Sequence, residues 1–237
     1  MNRLLNEDPE GRRRLLQLRT FSVICLNEEC GLLEWVDNTS CVRHLIQESH
    51  SYWPAGVYPP IDFKQIYKPF TEMQTLHQND VEGMMKEYRS LISDVYRPCF
   101  HRWFIENFPD PTDWLDARVC FTRSVAVWSA VGHVVGLGDR HSENILLDVT
   151  KGECVQVDFD CLFDKGLTLL RPEIVPFRLT PNFVDAMGLT GVEVTHSLTH
   201  SLTHSLTHSL THSLTHSLTH SGHLPQHHGG VYAPVAG

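Results

Sequence analysis

Residues 112–135 constrain the fold more than any other part of this sequence. They predict one long helix whose side chains, from Val119 onward, are apolar almost all the way round. A helix that is apolar on every side is buried on every side, so other elements must surround it. Within residues 1–193, the longest stretch without Asp, Glu, Lys or Arg is 124–138, and its 15 residues fall short of the ~20 that cross a bilayer. The sequence therefore predicts a buried central helix, ended by Gly136 and Gly138, and no membrane span.

Hydrophobic periodicity predicts helices and β-hairpins on either side of that helix. Apolar side chains recur every three or four residues through 80–96, which is typical of a helix, and Pro98 ends it. The β-rich runs 20–26 and 31–36 predict one hairpin, and residues 144–160, with a turn at 149–153, predict a second. The other predictions are a helix over 4–19, a short helix from Asn38 or Thr39 to Gln47, loops over 51–62 and 161–193, and Thr112 or Asp113 as the cap of the long helix.

The last 44 residues differ in composition from the rest of the chain. All 47 Asp, Glu, Lys and Arg side chains lie within residues 1–193. Residues 195–221 repeat Thr-His-Ser-Leu six times and end on Thr-His-Ser, and a period of four drifts around a helix without forming an apolar stripe. Thr, Ser and His are also poor helix formers, so the segment 194–237 is predicted to be a disordered, low-complexity tail. Histidines four residues apart could share a divalent metal in a helix, which leaves a histidine-rich metal protein as the weakest alternative.

Charge and cysteine content exclude several classes of protein. A net charge of −9 argues against a direct nucleic-acid site, because neutralising phosphates requires clustered Lys and Arg. The one dense basic run, residues 12–14, stands beside Asp8 and Glu10 and is interpreted as a solvated helix face. The seven cysteines form no C-x-x-C pair, and the first twenty residues are too charged for a signal peptide. The chain is therefore predicted to be non-secreted, with free thiols in a reducing, intracellular compartment.

The chemistry is concentrated in residues 136–160, GLGDRHSENILLDVTKGECVQVDFD. Asp139, His141 and Asn144 follow the buried helix in a tight turn, and hairpin geometry returns Asp158 to the side of Asn144. Phosphoryl transfer needs such a set: a carboxylate that orients the attacking hydroxyl, hard oxygen ligands for Mg²⁺, and a donor for the charge on the moving phosphoryl group. An Asp-Arg-His triplet alone is more often a polar turn. The five-residue spacing followed by a hairpin that ends in Asp-Phe is far more specific, and it matches the catalytic loop of protein kinases.

These residues carry a family resemblance. The motifs GLGDRHSENILLD, VDFD and EIVPFRLT resemble those of the phosphatidylinositol-3-kinase-related protein kinases. RTFSVICLNEECGLLEWVDNT and FPDPTDW narrow the resemblance to the ataxia-telangiectasia-and-Rad3-related checkpoint branch. It covers roughly residues 3–193 and stops at the repeat. The fold class it implies is an α+β, protein-kinase-like catalytic core of the PI3/PI4-kinase type over 1–193, with residues 1–36 as the end of the amino-terminal lobe and the hinge, and 37–193 as a partial carboxy-terminal lobe.

The resemblance also implies roles for individual residues. Asp139 matches the residue that orients and deprotonates the substrate hydroxyl, and His141 matches the imidazole that faces the γ-phosphate. Asn144 and Asp158 match the Mg²⁺ ligands. The remaining matches lie around the nucleotide: Glu34, Trp35 and Val36 at the hinge that bonds adenine, Asn38 and Thr39 at the ribose edge, and Leu146 and Val157 on the floor of the adenine pocket. The implied cofactors are ATP and Mg²⁺, with Mn²⁺ as a possible substitute.

By this resemblance the chain is an ATP-dependent serine/threonine protein kinase of nuclear DNA-damage signalling. Its implied substrates are proteins with Ser or Thr followed by Gln, at an activation segment over 158–180. The glycine-rich loop and phosphate-pairing lysine of the family are expected before residue 1, and further helices and the docking region for a regulatory partner subunit are expected outside this stretch. A core truncated at both ends is expected to expose faces of the helix over 119–135 and to have little kinase activity on its own.

Two alternatives remain open at this point. A phosphoinositide lipid kinase shares the Asp-Arg-His order, but residues 161–175 have balanced charges instead of the basic cluster that a lipid headgroup requires. A catalytically inactive kinase fragment that serves as an interaction module is the other alternative, since neither the phosphate loop nor its lysine is found in this sequence.

Overall fold

The computed structural model describes residues 1–53, 67–77, 80–170, 172–173 and 177–188. Helices predominate, accompanied by two small antiparallel sheets. The helices are α1 (Asn2–Glu7), α2 (Pro9–Arg13), α3 (Val42–Ser51), α4 (Tyr67–Leu76), α5 (Val81–Ser90), α6 (Phe100–Asn107), α7 (Pro111–Val135) and α8 (Pro181–Met187). The strands are β1 (Val23–Cys25), β2 (Gly31–Leu33), β3 (Thr39–Cys41), β4 (Ile145–Asp148) and β5 (Cys154–Gln156).

The prediction of a single helix over residues 4–19 is wrong. The chain forms two short helices here, because Pro9 has no N–H to continue α1 and instead begins α2. Asp8, between them, caps α2 by accepting a hydrogen bond from the backbone N–H of Gly11 at 2.6 Å. The chain from Leu15 to the first strand is not helical.

The first predicted hairpin is confirmed. β1 and β2 pair antiparallel, with Val23 opposite Leu33 and Cys25 opposite Gly31, and they form a two-stranded sheet of their own. Both strands are exposed along their whole length. The hairpin leads directly into the residues predicted to be the hinge.

The short helix predicted from Asn38 or Thr39 begins later than expected. Residues Thr39–Cys41 are strand β3, which pairs with β4, and α3 starts at Val42. Asn38 itself has a left-handed backbone (φ 58°) that cannot begin a helix. The result is a three-stranded sheet in the order β3-β4-β5, and the predicted second hairpin is its β4-β5 half. The second strand of that hairpin ends at Gln156, earlier than the predicted residue 160.

The predicted central helix is confirmed as α7, which has 25 residues. Gly136 ends it in the left-handed conformation (φ 59°), as glycine readily does. Phe121 and all nine residues from Ser124 to Gly132 are buried, because α6, α8 and β5 pack around the helix. The expectation that faces of residues 119–135 would be exposed holds only at the edges of this range: His133 is exposed, and Val119, Cys120, Arg123, Val134 and Val135 are partly buried. Two hydrogen bonds tie the helix to β5: the Trp128 indole donates to the Cys154 carbonyl (3.1 Å), and the Cys154 N–H donates to Ser124 Oγ (2.8 Å).

The cap of α7 differs from both predicted candidates. Asp110 precedes the helix, and its carboxylate accepts hydrogen bonds from the N–H groups of Thr112 (2.8 Å) and Asp113 (3.3 Å). Pro111 occupies the first helical position, where its missing N–H costs nothing. The predicted cap residues are thus the donors to the cap.

We expect Asp110→Ala to lower the free energy of unfolding by about 1 kcal/mol, because two backbone donors lose their acceptor. Urea denaturation followed by tryptophan fluorescence measures this change. Thr112→Ala is the matched control and should cost only a few tenths of a kcal/mol, since Thr112 contributes its backbone and not its side chain to the cap. Equal costs for the two variants would contradict the assignment.

The remaining predictions have mixed outcomes. The helix predicted over 80–96 is confirmed as α5, capped by Asp80, with a π-helical last turn over Leu91–Val95.

The loop predicted over 161–193 is wrong in part, because this segment contains the 3₁₀ turn Lys165–Thr168 and the helix α8. Thr180 caps α8, and Pro181 occupies its first position. Helices α4 and α6 were not predicted. Of the loop over 51–62, Ser51 ends α3, and residues 54–62 lie outside the described part of the chain, as does the repeat.

Helix α8 completes α6 from a distant part of the sequence. Asn182 Oδ1 accepts a hydrogen bond from the backbone N–H of Cys99 at 3.0 Å, and Asp185 Oδ2 accepts one from the N–H of His101 at 2.9 Å. The His101 ring also contacts the Asp185 carboxylate at 2.8 Å. The first turn of α6 is therefore capped by two side chains of α8 instead of by its own flanking residues.

The described residues contain neither a candidate membrane-spanning helix nor a disulfide. Among the described residues, no helix is long and apolar enough to span a bilayer. All seven cysteines are free thiols, and Cys99, Cys154 and Cys161 are buried.

Candidate functional site

The polar turn that follows α7 lies against the segment that follows β5. Gly138 N–H donates to the carbonyl of Cys161 at 2.7 Å, and the N–H groups of Phe163 and Asp164 donate back to the carbonyls of Val135 and Gly136. These bonds make two loops, residues 136–144 and 157–164, neighbours along their length. Four of the six described non-glycine residues with positive φ lie in these loops: Asp139, Asp158, Phe163 and Asp164. Such backbone persists only where the surroundings hold it in place.

The structure brings Asn144 and Asp158 together. Asn144 Nδ2 lies 3.0 Å from the carbonyl of Asp139 and 3.5 Å from Asp158 Oδ2. The hairpin explains this proximity: Ile145 pairs with Gln156, so the residues just outside the pair converge, and Val157 N–H donates to the Asn144 carbonyl at 3.1 Å. Asn144 is buried, whereas Asp158 is exposed.

Arg140 holds this arrangement, and sequence reasoning did not assign it a role. Its guanidinium donates to the carbonyls of Gly138 (2.8 Å) and Val157 (2.7 Å), and also to that of Asp158. Arg140 is 6% exposed, and burial lowers the pKa of its guanidinium, while the carboxylates of Asp158 and Asp139 act in the opposite direction. One buried cation thus bonds to both loops and fixes the backbone that presents Asp158. In the sequence, the only indication of this role is that Arg140 lies between the candidate residues Asp139 and His141.

Asp139 is held from the other side by Glu173, a second residue that sequence reasoning missed. The backbone N–H of Asp139 donates to Glu173 Oε2 at 2.7 Å. Glu173 in turn donates its own N–H to the Gly166 carbonyl at 3.1 Å, and a Cβ on Gly138 would lie 3.0 Å from the Glu173 carboxylate. Glycine at Gly138 therefore allows the close approach of this carboxylate to the turn. Glu173 belongs to the EIVPFRLT motif, which was its only signal.

His141 is positioned apart from the Asn144–Asp158 pair. Its ring is half-buried, and Nδ1 accepts a hydrogen bond from the Glu143 N–H at 3.3 Å. Among the contacts of the described residues, the ring makes no hydrogen bond to Asp139, Asn144 or Asp158. The backbone carbonyl of His141 accepts from the Asn144 N–H at 3.0 Å, so the two residues share one turn.

The donor set of Asn144 and Asp158 fits a magnesium ion. Mg²⁺ takes oxygen ligands and is held in proteins by one or two carboxylates together with substrate phosphates. The nitrogen of the Asn144 amide bonds to the Asp139 carbonyl, which leaves its oxygen to offer, and the Asp158 carboxylate is exposed. Among the described residues, no group of three or more His, Cys, Asp or Glu could hold a metal. The fit is therefore to an ion that shares its coordination with phosphates, and not to a closed protein cage.

The predicted hinge residues follow β2. The Glu34 N–H donates to the Ser22 carbonyl at 2.9 Å, and its carboxylate accepts the Ser22 N–H at 2.7 Å. The second of these bonds lowers the pKa of Glu34. Trp35 is 82% exposed, while Val36 is buried. The exposed indole therefore stands outside the protein core, where it is free to cover a flat ligand.

The other predicted nucleotide residues lie on or next to the three-stranded sheet. Thr39, in β3, donates its hydroxyl to the Val36 carbonyl at 2.7 Å, and the Asn38 carbonyl accepts from the Val149 N–H at 2.8 Å. Leu146 is half-buried in β4 opposite Val155, with Cys41 of β3 on its other side. Val157, also half-buried, follows β5. The sheet thus connects the hinge to the turn that holds Asn144.

Phe159 joins this region to the rest of the fold, and it too was unassigned. Its ring stacks on Trp128 of α7 (centroids 5.9 Å apart) and on Phe21, just before β1 (6.2 Å apart). The residue after Asp158 therefore links the hairpin β1-β2 to the central helix. The only indication in the sequence is that Phe159 directly follows the candidate residue Asp158.

Comparison with known proteins identifies the family. The family model described as phosphatidylinositol 3- and 4-kinase matches residues 1–219. The chain belongs to the phosphatidylinositol 3- and 4-kinase family. Within that family its curated relatives are kinases of the ATR, Rad3 and MEC1 type, which confirms the resemblance and the branch inferred from the motifs.

The relatives are similar over most of this chain. The serine/threonine-protein kinase ATR of Arabidopsis thaliana is 47% identical over 196 residues, which cover 81% of this chain and 7% of that protein. The protein kinase rad3 of Schizosaccharomyces pombe is 45% identical over 192 residues, covering 81% and 8%. The chain therefore spans less than a tenth of the length of either relative.

Solved kinases of this family share the fold. The structure titled "FAT and kinase domain of CtTel1" matches with a TM-score of 0.73 and 37% identity, over 85% of this chain and 14% of that one. A second, titled "Tel1 kinase butterfly symmetric dimer", matches with a TM-score of 0.71 and 35% identity, over 85% and 8%. The predicted fold class, an α+β core of the PI3/PI4-kinase type, is confirmed.

Proposed function

We propose that this chain carries the catalytic loop and the metal-binding residues of an ATP-dependent serine/threonine protein kinase of the DNA-damage checkpoint type. The proposed reaction transfers the γ-phosphate of ATP to Ser or Thr followed by Gln. The observation that carries the proposal is the approach of Asn144 to Asp158, 3.5 Å apart, on two loops that Arg140 holds together. Membership of a family of kinases supports the same chemistry.

Four residues have distinct tasks in this proposal. Asp139, on a backbone fixed by Glu173, orients the substrate hydroxyl and accepts its proton. His141 faces the γ-phosphate and donates a hydrogen bond to its developing charge. Asn144 and Asp158 hold the metal through an amide oxygen and a carboxylate. A magnesium ion held by these two residues, or manganese in its place, would neutralise charge on the triphosphate of ATP.

The nucleotide is proposed to lie between the hinge and the sheet. Backbone groups of residues 34–36 bond adenine, the exposed Trp35 ring packs against it, and Asn38 and Thr39 border the ribose. Leu146 and Val157 form the floor. The half-buried state of both floor residues supports this placement, because an adenine ring needs apolar surface that other side chains have not already covered.

A protein substrate is favoured over a lipid by the charges of the activation segment. A lipid headgroup needs a cluster of cations, but the Lys165 ammonium pairs with the Asp160 carboxylate at 3.0 Å. Hydrogen bonding to Asp160 raises the pKa of Lys165, so this lysine stays charged and engaged. The proposal places the protein in the nucleus, with a regulatory partner subunit that docks outside this stretch.

The test is a side-by-side transfer assay on the purified 237-residue chain with Mg-ATP. The acceptors are a Ser-Gln peptide, the same peptide with Ser-Ala, and phosphoinositide vesicles. We expect Mg-ATP to raise the melting temperature. Because neither the phosphate loop nor its lysine is found in this sequence, transfer should be slow, but labelled phosphate should enter the Ser-Gln peptide in preference to the Ser-Ala peptide and the vesicles. Transfer to the vesicles would indicate a lipid kinase. Absence of both a thermal shift and transfer would contradict the proposal and favour a non-catalytic interaction module.

A further inference from the structure

Arg19 connects three parts of the chain that are distant in sequence. It lies between α2 and β1, and its guanidinium reaches Asp148 at the end of β4, where Nη1 pairs with Oδ2 of the carboxylate. The second terminal nitrogen, Nη2, donates to the backbone carbonyl of Asp37 at 3.0 Å. Asp37 directly follows the predicted hinge residues. One planar group therefore bonds simultaneously to the hinge backbone and to the three-stranded sheet.

Asp148 is a fixed anchor for this guanidinium. It is 2% exposed, and its Oδ1 accepts hydrogen bonds from the Thr150 N–H (2.8 Å), the Thr150 hydroxyl (2.6 Å) and the Lys151 N–H (3.2 Å). Burial alone raises the pKa of Asp148, but the hydrogen bonds from Thr150 and Arg19 outweigh it and hold the pKa below its usual value. The carboxylate thus stays charged, with Oδ1 engaged in the turn and Oδ2 bonded to Arg19.

The location of the anchor connects the hinge to the floor of the adenine pocket. Asp148 pairs with Thr39 of β3, and it lies two positions along β4 from Leu146. Val149 N–H donates to the Asn38 carbonyl at 2.8 Å. A hinge that is fixed at Asp37 and Asn38 is therefore fixed relative to Leu146, because a β-strand transmits position over two residues with little play.

We propose that Arg19 is a positioning residue that sets the distance between the hinge and the floor of the nucleotide pocket. The claim that this pocket takes ATP rests on the proposed function. Arg19 touches neither the nucleotide nor the reacting atoms, so it acts through the Asp37 carbonyl. Its role needs the forked guanidinium and not only a positive charge, since one arm bonds Asp148 and the other bonds Asp37.

An ordinary surface ion pair does not connect two segments that are distant in the sequence. Arg13 pairs with Glu10 within α2 at 2.7 Å, with side chains that are 68% and 44% exposed. Such a pair contributes little, and it connects residues that the helix already holds together. Arg13 therefore provides the matched control for Arg19, because it lies in the same part of the chain and engages a carboxylate through the same kind of group.

The test replaces each arginine with lysine in the 237-residue chain. Lysine keeps the charge beside the Asp148 carboxylate but has no fork to reach the Asp37 carbonyl. Amide hydrogen exchange, read by mass spectrometry, is expected to become about tenfold faster in peptides covering residues 34–39 and Val149 in Arg19→Lys, with no change in α7. Arg13→Lys should exchange at the wild-type rate throughout.

A second readout concerns the nucleotide. We expect Arg19→Lys to raise the KM for Mg-ATP about three- to tenfold while kcat stays within twofold, because the catalytic loop keeps its own bonds to Arg140 and Glu173. Unchanged exchange at the hinge in Arg19→Lys would overturn the proposal, and so would faster exchange throughout the molecule, which marks a general structural role. A wild-type chain that binds no Mg-ATP would contradict the proposed function, and hinge exchange would still decide whether Arg19 positions the hinge.

Discussion

Asp158→Asn is expected to lower the rate of phosphoryl transfer by about 100- to 1,000-fold. The substitution keeps the size and shape of the side chain, and asparagine tolerates the left-handed backbone that Asp158 adopts (φ 60°). It removes the negative charge that the proposed magnesium site requires next to the Asn144 amide. The initial rate of transfer to a Ser-Gln peptide, measured over a range of Mg²⁺ concentrations, checks this expectation.

The matched control for this variant is Asp160→Asn. Asp160 lies two residues further on, is exposed, and directs its carboxylate to Lys165 at 3.0 Å instead of to Asn144. Its loss should change the rate by less than about threefold, the size of an exposed ion-pair effect. Both variants should keep the wild-type melting temperature, which separates chemistry from folding. An Asp158→Asn enzyme as fast as the Asp160→Asn control would show that Asp158 does not hold the metal.

Phe121→Ala is expected to lower the free energy of unfolding by about 3–5 kcal/mol, because it removes a fully buried aromatic ring and leaves a cavity. The ring of Phe121 packs against three others, with centroids 5.7 Å from Phe100, 5.4 Å from Phe104 and 5.5 Å from Phe183. Helices α6, α7 and α8 therefore all contact this ring. A typical domain has only about 5–15 kcal/mol in total, and the variant should be largely unfolded at moderate urea concentrations.

Leu115→Ala makes this measurement specific. Leu115 lies on the same helix, but it is 53% exposed, so its truncation should change stability by no more than about 0.5 kcal/mol. Urea denaturation of both variants, followed by tryptophan fluorescence, gives the comparison. If Phe121→Ala unfolds at the same urea concentration as Leu115→Ala, the three helices do not share a core at this residue.

The elements that the sequence predicts well are those whose cause is local. The apolar residues of α7, the helical period of α5 and the turn of the β4-β5 hairpin are all visible within a short window. The sequence pattern predicted a helix at β3 and a loop at α8. Both predictions were wrong because each element forms through contacts with residues that are distant in the sequence. Thr39–Cys41 becomes a strand only because β4 is available to pair with it, and α8 is a short helix whose contacts are with α6 and α7.

The candidate site divides in the same way. The approach of Asp158 to Asn144 follows from the hairpin, so spacing alone predicted it, and the structure places the two side chains together. The supporting residues could not be found by spacing. Arg140 matters because its guanidinium reaches three carbonyls, and Glu173 because it folds back over 34 residues to the Asp139 N–H. Both are tertiary contacts that a single sequence does not display.

The distant capping of α6 has a consequence for how this protein is made. The acceptors for the Cys99 and His101 N–H groups are Asn182 and Asp185, which follow 83 and 84 residues later in the chain. During synthesis from the amino terminus, the aromatic side chains of α6 and α7 can pack together early. The first turn of α6 stays uncapped until Asn182 and Asp185 have left the ribosome. The nascent chain therefore completes the packing of α6 against α8 only when translation has passed residues 139–180 and has reached Asp185.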